Sequence, residues 1–324
     1  MNAEICRNSE KATSLAGLRV IALHAHPDDE ALWTGGALAE LSEHGAHVTV
    51  VTCTLGEEGE VIGDKYRQLT VDHADQLGGF RIGELKEALQ ILGVHGLHLG
   101  GAGRYRDSGM AGTSAHENPR AFVNNVESAT QDFAQIICEI KPHAILTYGP
   151  DGGYGHPDHI AAHEVAHKAA ALVRSAGKWD VPRIWWETTP RDKVDKALEA
   201  FSVPEGWSIA DNVYLAGGTD NYWDVELALS ASAFDRKRRA VAAHATQIWL
   251  ADGTVSDVNP QPAYAEGRSS LAPVAFALSN LKLMPLLFTE HYQLGEGEAP
   301  AEPATVALLG YEDLKASGDT KVGR

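Results

Sequence analysis

Cysteine is scarce in this chain. The three present, Cys6, Cys53 and Cys138, are odd in number, far apart and form no CxxC pair, so a disulfide framework is excluded and a reducing compartment is expected. Cations are also short, with 27 Lys and Arg against 44 Asp and Glu and a formal net charge of −17. That sign excludes a nucleic-acid backbone or an anionic membrane as partner, because both require a basic surface. No run approaches the roughly 20 apolar residues of a membrane span. The polar, mixed-charge opening of the sequence lacks the apolar core of a signal peptide. Together these absences predict a soluble, cytoplasmic chain. The acidity is a solubility property and does not by itself indicate a cationic substrate.

Apolar material is ample. The 324 residues are 44% hydrophobic and 22% charged, enough for one large domain or two modest ones. The first half alternates short β-branched runs with longer amphipathic ones. Leu18–Leu23, His47–Cys53 and Ala144–Tyr148 read as strands, His47–Cys53 being nearly continuous in the manner of a strand buried on both faces. Glu30–His44, closed by Gly45, reads as a helix, and so do Arg81–Leu92, closed by Gly93, and Phe122–Ile140, stopped by Pro142. This alternation predicts an α/β fold, a Rossmann-like and mainly parallel sheet flanked by helices. After about Val181 the order is irregular, with strands expected at Arg183–Thr189 and Ser208–Leu215 and helices at Arg191–Phe201 and Ala231–Ala243. The expected organisation is a flexible N-terminus over 1–16, a metal-binding catalytic domain over 17–180 and a smaller C-terminal α+β part over 181–294 that contributes to the substrate cleft. An acidic tail over 295–324 is expected to be flexible, with a short helix near Tyr311–Ala316.

The chemistry-bearing segment is His24-Ala25-His26-Pro27-Asp28-Asp29-Glu30, where the first strand gives way to the first helix. Ligands bind at this carboxyl edge in open α/β sheets. The usual Gly-rich phosphate cradle is missing from that turn, and Gly100-Gly101-Ala102-Gly103 lacks the spacing of a dinucleotide fingerprint. Imidazole beside two carboxylates suits a divalent metal instead. A second loop, Tyr148 to His159, holds four glycines, two prolines and the sequence His156-Pro157-Asp158-His159. Such a loop costs stability and is better explained by a site than by packing. Two loops of this kind on one sheet edge supply the three His and Asp ligands of a catalytic zinc site.

"HPDDE" after the first strand, "RxxEL" at Arg81, Glu84 and Leu85, and "HPDH" after a later strand resemble the LmbE-type N-acetylglucosamine deacetylase family. Four further strings, Thr52–Asp64, His73–Leu85, Gly100–Thr113 and Gly152–His159, are similar to its mycothiol-biosynthesis branch. Weaker matches at Ala243–Gln247 and Leu278–Asn280 extend the resemblance over most of the chain before the tail. It implies His26, Asp29 and His159 as ligands of one Zn2+, with Fe2+ an alternative for the same two-His, one-carboxylate set. It implies Asp28 as general base, and His156 as oxyanion stabiliser and proton donor to the leaving amine. Asp158 is implied to orient His156, and Tyr154 to donate to the oxyanion. Arg81, Asp107 and Met110 are implied to line the sugar and inositol site, with Glu60 near it. The implied reaction removes acetate from N-acetylglucosaminyl-inositol, a small pseudodisaccharide.

The chemistry is coherent without the family. Amide hydrolysis needs a nucleophile at neutral pH, which zinc provides by lowering the pKa of a water it binds from about 15.7 to near 7. It needs a donor at the carbonyl oxygen, worth about 3 kcal/mol, and a proton for nitrogen. Sequence alone does not divide ligation and base work between Asp28 and Asp29. The rival readings are an S-conjugate amidase of the same pathway or another N-acetyl sugar deacetylase, a non-haem iron oxygenase, and a sugar-binding module. The oxygenase conflicts with the strand–helix alternation, and the binding module leaves the paired carboxylates unexplained. His163-Glu164-Val165-Ala166-His167 also matches the zinc motif HExxH, but it lies a turn beyond His159 in an Ala-rich stretch and is expected to be a surface pair. Arg236 to Arg239 reads as a solvated face, and Trp185, Trp186, Trp223 and Trp249 as packing. His44, His47, His95 and His98 are expected at the surface.

Overall fold

The computed structural model describes residues 14–209, 222–267 and 269–300. Five strands run parallel in one sheet: β1 (Arg19–His24), β2 (His47–Thr52), β3 (His95–His98), β4 (Ala144–Tyr148) and β5 (Arg183–Thr188). The helices between them are α1 (Asp29–Leu32), α2 (Gly35–Glu43), α3 (Leu77–Leu92), α4 (Val126–Ile140), the short α5 (Gly152–Gly155) and α6 (Pro157–Ser175). Later in the chain come α7 (Arg191–Leu198), β6 (Ser208–Ile209), β7 (Val225–Ala228), α8 (Ala231–Ala243), β8 (Trp249–Leu250), β9 (Val274–Ala277), β10 (Lys282–Leu286) and β11 (Thr289–Gly297). The main sheet has the order β3-β2-β1-β4-β5-β11-β7, and a second sheet has the order β6-β10-β9-β8.

Alternation along the inner strands divides the core between the two faces of the main sheet. Val20 and Ala22 of β1, with Ala144 and Leu146 of β4, pack in the cluster that includes α2, α3 and α8. Ile21 and Leu23, with Ile145 and Tyr148, pack in the cluster formed with α4 and α6. Both faces are covered, which explains why Val20–Leu23 and Ala144–Leu146 are apolar without alternation.

The sheet crosses the boundary expected at 180. β5 continues it in parallel, β11 adds antiparallel to β5, and β7 adds antiparallel to β11. Only the second, four-stranded sheet lies wholly within 181–294. β11 also carries order to Gly297, inside the stretch read as tail. The helix expected at Tyr311–Ala316, the rest of the tail, the first thirteen residues and the end of the strand expected over Ser208–Leu215 lie outside the described residues.

Some helix limits differ from expectation. Glu30–His44 is two helices, broken at Trp33 and Thr34, where the Thr34 hydroxyl meets His24 Nε2 at 2.9 Å. Phe122–Asn124 is a 3₁₀ turn, and α4 starts only at Val126. α3 begins four residues before Arg81, at Leu77. The basic run is not uniformly solvated, because Lys237 is buried against Glu290. His163 and His167 are half-buried, not on an open surface: His163 Nδ1 donates to the Tyr148 carbonyl, and Trp186 Nε1 donates to His167 Nε2. Only Glu164 of that motif is exposed, beside Lys168. No helix among the described residues is long and apolar enough to cross a membrane.

Candidate active site

The carboxyl ends of β1 and β4 open into a cleft of about 450 Å³. His26, Asp28 and Asp29 reach it from the β1–α1 turn, and Tyr154 and His156 from the loop after β4. That loop folds tightly onto α6. Gly152 has φ +67, and a Cβ there would lie 2.8 Å from His159 Cβ, so the glycine brings the loop backbone against His159. Pro157 opens α6, His156 caps it, and His159 stands in its first turn.

Three buried donors form a small triangle on the cleft floor. His26 Nδ1 lies 3.4 Å from Asp29 Oδ2, His159 Nε2 lies 3.4 Å from the same oxygen, and the two nitrogens are 3.3 Å apart. Ligands about 2.1 Å from a tetrahedral ion are separated by about 3.4 Å, so the set fits zinc. The tautomers agree. His159 Nδ1 donates to the Gly152 carbonyl at 3.1 Å, which leaves a lone pair on Nε2. His26 Nε2 donates to Asp158 Oδ2 at 3.3 Å, which leaves one on Nδ1. Both histidines are thus held by their second nitrogen, in the manner of metal ligands. Burial opposes charge on His26, yet Asp107, Asp158 and Asp29 raise its pKa well above the ordinary value. The surroundings therefore seek positive charge. His156 brings a third imidazole within 4.8 Å of His26 and His159.

Asp28 stands beside the triangle with φ 111 and ψ −30, a conformation a non-glycine residue adopts at a cost of about 1–3 kcal/mol. Arg81 Nη2 donates to its Oδ2 at 2.9 Å and also to the Pro27 carbonyl, while Nη1 donates to the Gly56 carbonyl at 2.8 Å. Gly56, at φ +64, leaves room for that guanidinium where a Cβ would collide with it. Burial pushes the Asp28 carboxyl up to about 7, against the pull of Arg81.

His156 Nδ1 accepts the backbone N–H of Asp158 at 3.1 Å, which places its proton on Nε2. Burial pulls its pKa down to about 3. The Asp158 carboxylate, expected at His156, instead meets His26 Nε2 and the N–H of Ser108. Arg81, Asp107, Met110 and Glu60 all line the cleft. Arg81 and Asp107 are buried and already bonded within the protein, Asp107 accepting from Gly109 N at 2.8 Å and lying 3.6 Å from His26 Nε2. Met110 and Glu60 are exposed.

Sequence reasoning missed several supports. Tyr148 donates to Asp29 Oδ2 at 2.7 Å and stacks on His159 at 4.1 Å. Trp33 Nε1 donates to Asp29 Oδ1 at 3.1 Å. Glu57 accepts the Asp107 N–H at 3.1 Å, and Gln247, Asn280 and Lys282 add polar groups to the cleft wall. Tyr148 and Gln247 stand in motifs that were legible, but nothing in the strings marks what they touch.

Residues 21–170 match the family described as PIG-L, GlcNAc-PI de-N-acetylase. A 1D-myo-inositol 2-acetamido-2-deoxy-alpha-D-glucopyranoside deacetylase of Corynebacterium efficiens is 53% identical over 291 residues, covering 89% of this chain and 91% of that one. A protein of the same description from Mycolicibacterium gilvum is 46% identical over 285 residues, covering 87% and 92%. Among solved structures, N,N'-diacetylchitobiose deacetylase from Pyrococcus horikoshii is similar at a TM-score of 0.47 and 19% identity, over 70% of each chain. Identity at the level of the first two, sustained over most of both chains, means that this protein with its cation-seeking cleft belongs to the GlcNAc-PI de-N-acetylase family of hydrolytic deacetylases.

Proposed function

We propose that this chain hydrolyses the acetamide of N-acetylglucosaminyl-inositol to glucosaminyl-inositol and acetate, a step of mycothiol biosynthesis, with one zinc ion per chain held by His26, Asp29 and His159. The triangle of His26 Nδ1, Asp29 Oδ2 and His159 Nε2 beside Asp28 is the observation that carries this reading. Free, separated Cys53 and Cys138 fit a cytoplasmic setting.

Zinc bound there supplies Lewis-acid polarisation of the carbonyl and acidifies water. Asp28, half-buried at the edge of the triangle and held by Arg81, is placed to take the attacking water's proton. His156, its Nδ1 occupied by the Asp158 N–H and its proton on Nε2, acts as a hydrogen-bond donor to the developing oxyanion, a role worth about 3 kcal/mol. Tyr154 lines the same side of the cleft and adds a second donor. His156 Nε2 then delivers its proton to the leaving nitrogen, and the proton gained by Asp28 restores the balance. The polar wall formed by Glu60, Gln247, Asn280 and Lys282 suits a ligand rich in hydroxyl groups.

An amine-release assay on N-acetylglucosaminyl-inositol, beside one on a mycothiol S-conjugate, tests the substrate. The first should be turned over and the second much more slowly; the reverse would assign the amidase reaction. Asp28→Asn should keep about one zinc per chain and lose about 10²–10⁴ in turnover. Glu164→Gln should remain active, its carboxylate being exposed on α6. Reloading the metal-stripped protein with zinc or with ferrous iron under nitrogen shows which ion supports the reaction.

A further inference from the structure

The conformation of Asp28 is held from two sides, and both holds lead to one corner of the chain. The backbone N–H of Asp28 donates to Glu30 Oε2 at 3.0 Å. The other oxygen of that carboxylate, Oε1, meets His244 Nε2 at 2.7 Å, and neither side chain has any exposure. His244 ends α8. Two residues on, Thr246 donates to both oxygens of Glu84, through its N–H at 2.8 Å and its hydroxyl at 2.7 Å. Glu84 lies three residues beyond Arg81 on α3, and Arg81 holds the Asp28 carboxylate. Ile62 N donates to the Thr246 carbonyl and Asn259 Nδ2 to the Ala245 carbonyl, both at 2.9 Å, so the corner is fastened on further sides.

We propose that the buried Glu30–His244 pair is a positioning device for Asp28, fixing the N–H of that residue in its left-handed conformation and so aiming its carboxylate into the cleft. The proposal rests on the reading of Asp28 as the general base. Glu30 offers two oxygens for two tasks. Without a donor on Oε1 the carboxylate is free to rotate, and the Asp28 N–H loses a fixed acceptor. α1, at four residues, is too short to enforce the turn alone. His244 has no task at the metal triangle and does not line the cleft; its ring meets one oxygen of Glu30, and the other oxygen holds the Asp28 N–H.

The test is a double-mutant cycle on the zinc-loaded, full-length protein. His244→Leu should lower kcat by about 10–100-fold, the penalty for a small misplacement of a reacting group, with KM and zinc content unchanged. In the Asp28→Asn background the same substitution should cost less than about twofold, because the group being positioned is no longer a base. Should His244→Leu fail to fold, His244→Asn, polar but too short to reach Glu30, takes its place in the cycle. An equal loss in both backgrounds, or no loss of kcat in the wild-type background, would overturn the proposal and leave the pair a packing feature. An Asp28→Asn protein as active as the wild type would instead remove the base assignment itself, an outcome read before His244 is touched.

Discussion

Asp158 shows how far a residue's surroundings depend on local backbone geometry. As the second residue of α6 it gives its N–H to the capping side chain of His156, as N-cap geometry demands. Its carboxylate is thereby turned the other way, onto His26 Nε2 and Ser108 N. A carboxylate on the second nitrogen of a ligand histidine raises its basicity and fixes its ring, and losing such a partner weakens metal binding about 10–100-fold. Asp158→Asn should therefore bind zinc about that much more weakly in a competition titration against a chromophoric chelator, with the fold intact. Unchanged affinity would return the carboxylate to the expected role at His156. That His26, Asp28, Asp29 and His159 gather at one sheet edge was legible in the sequence, because few residue types suit metal and base chemistry and the turn after a strand is where ligands bind. Their supports were not: Tyr148 and Asp29, or Glu30 and His244, meet across 119 and 214 residues, and no spacing rule reaches that far.

Among the elements, the parallel strands β1, β2 and β4 and the helix α8 fall close to the sequence reading, since burial on both faces or on one stripe leaves a local pattern. The breaks do not. Glu30–His44 has an unbroken helical pattern, yet the helix stops so that His24 can bond Thr34 and restarts at Gly35 with its first N–H groups turned to Glu290. That carboxylate of β11 accepts from Gly36 N at 2.7 Å, Ala37 N at 2.8 Å and the Tyr292 hydroxyl at 2.8 Å, and pairs with Lys237 of α8 at 2.6 Å. It joins three elements at one point and draws Lys237 out of a run that otherwise reads as solvated. Removing one partner of a buried pair costs about 3–5 kcal/mol. Three donors remain on Glu290, so Lys237→Met should lose about 3 kcal/mol in urea unfolding. Adding Glu290→Gln removes the buried charge but turns an amide N–H toward the N–H of Gly36 or Ala37, so the double variant should recover only part of that loss. A double variant less stable than Lys237→Met would show that the three remaining hydrogen bonds, and not the unpaired charge, set the cost.

At the scale of the whole molecule, the sheet is wider than the sequence suggested because β11, near the end of the described chain, inserts between β5 and β7. Its antiparallel pairing joins residues as far apart as His291 and Thr188 on one side and Thr289 and Ala228 on the other, which local patterns do not record. The insertion has an electrostatic consequence. Glu187 of β5 lies between Tyr148 of β4 and Tyr292 of β11 in the strand register and is 7% exposed. Burial pushes its carboxyl up to about 8, with Asp29 and Asp151 adding to the effect. An unfolded chain would release that proton near pH 4.5. Between those two values the folded state binds a proton that the unfolded state does not, so this group lowers stability as pH rises, by up to about 1.4 kcal/mol per pH unit, and the fall levels off above about pH 8. The contribution is fully favourable only below the unfolded value. Glu187→Gln keeps the shape of the protonated acid and cannot ionise. Thermal unfolding of the two proteins should coincide near pH 5 and separate as pH rises. By pH 8.5 the variant should be more stable by several degrees, at about 1.5 °C per kcal/mol for a chain of 324 residues. Parallel pH profiles for both would mean that Glu187 ionises in the fold as freely as in water, and that the sheet around it admits solvent.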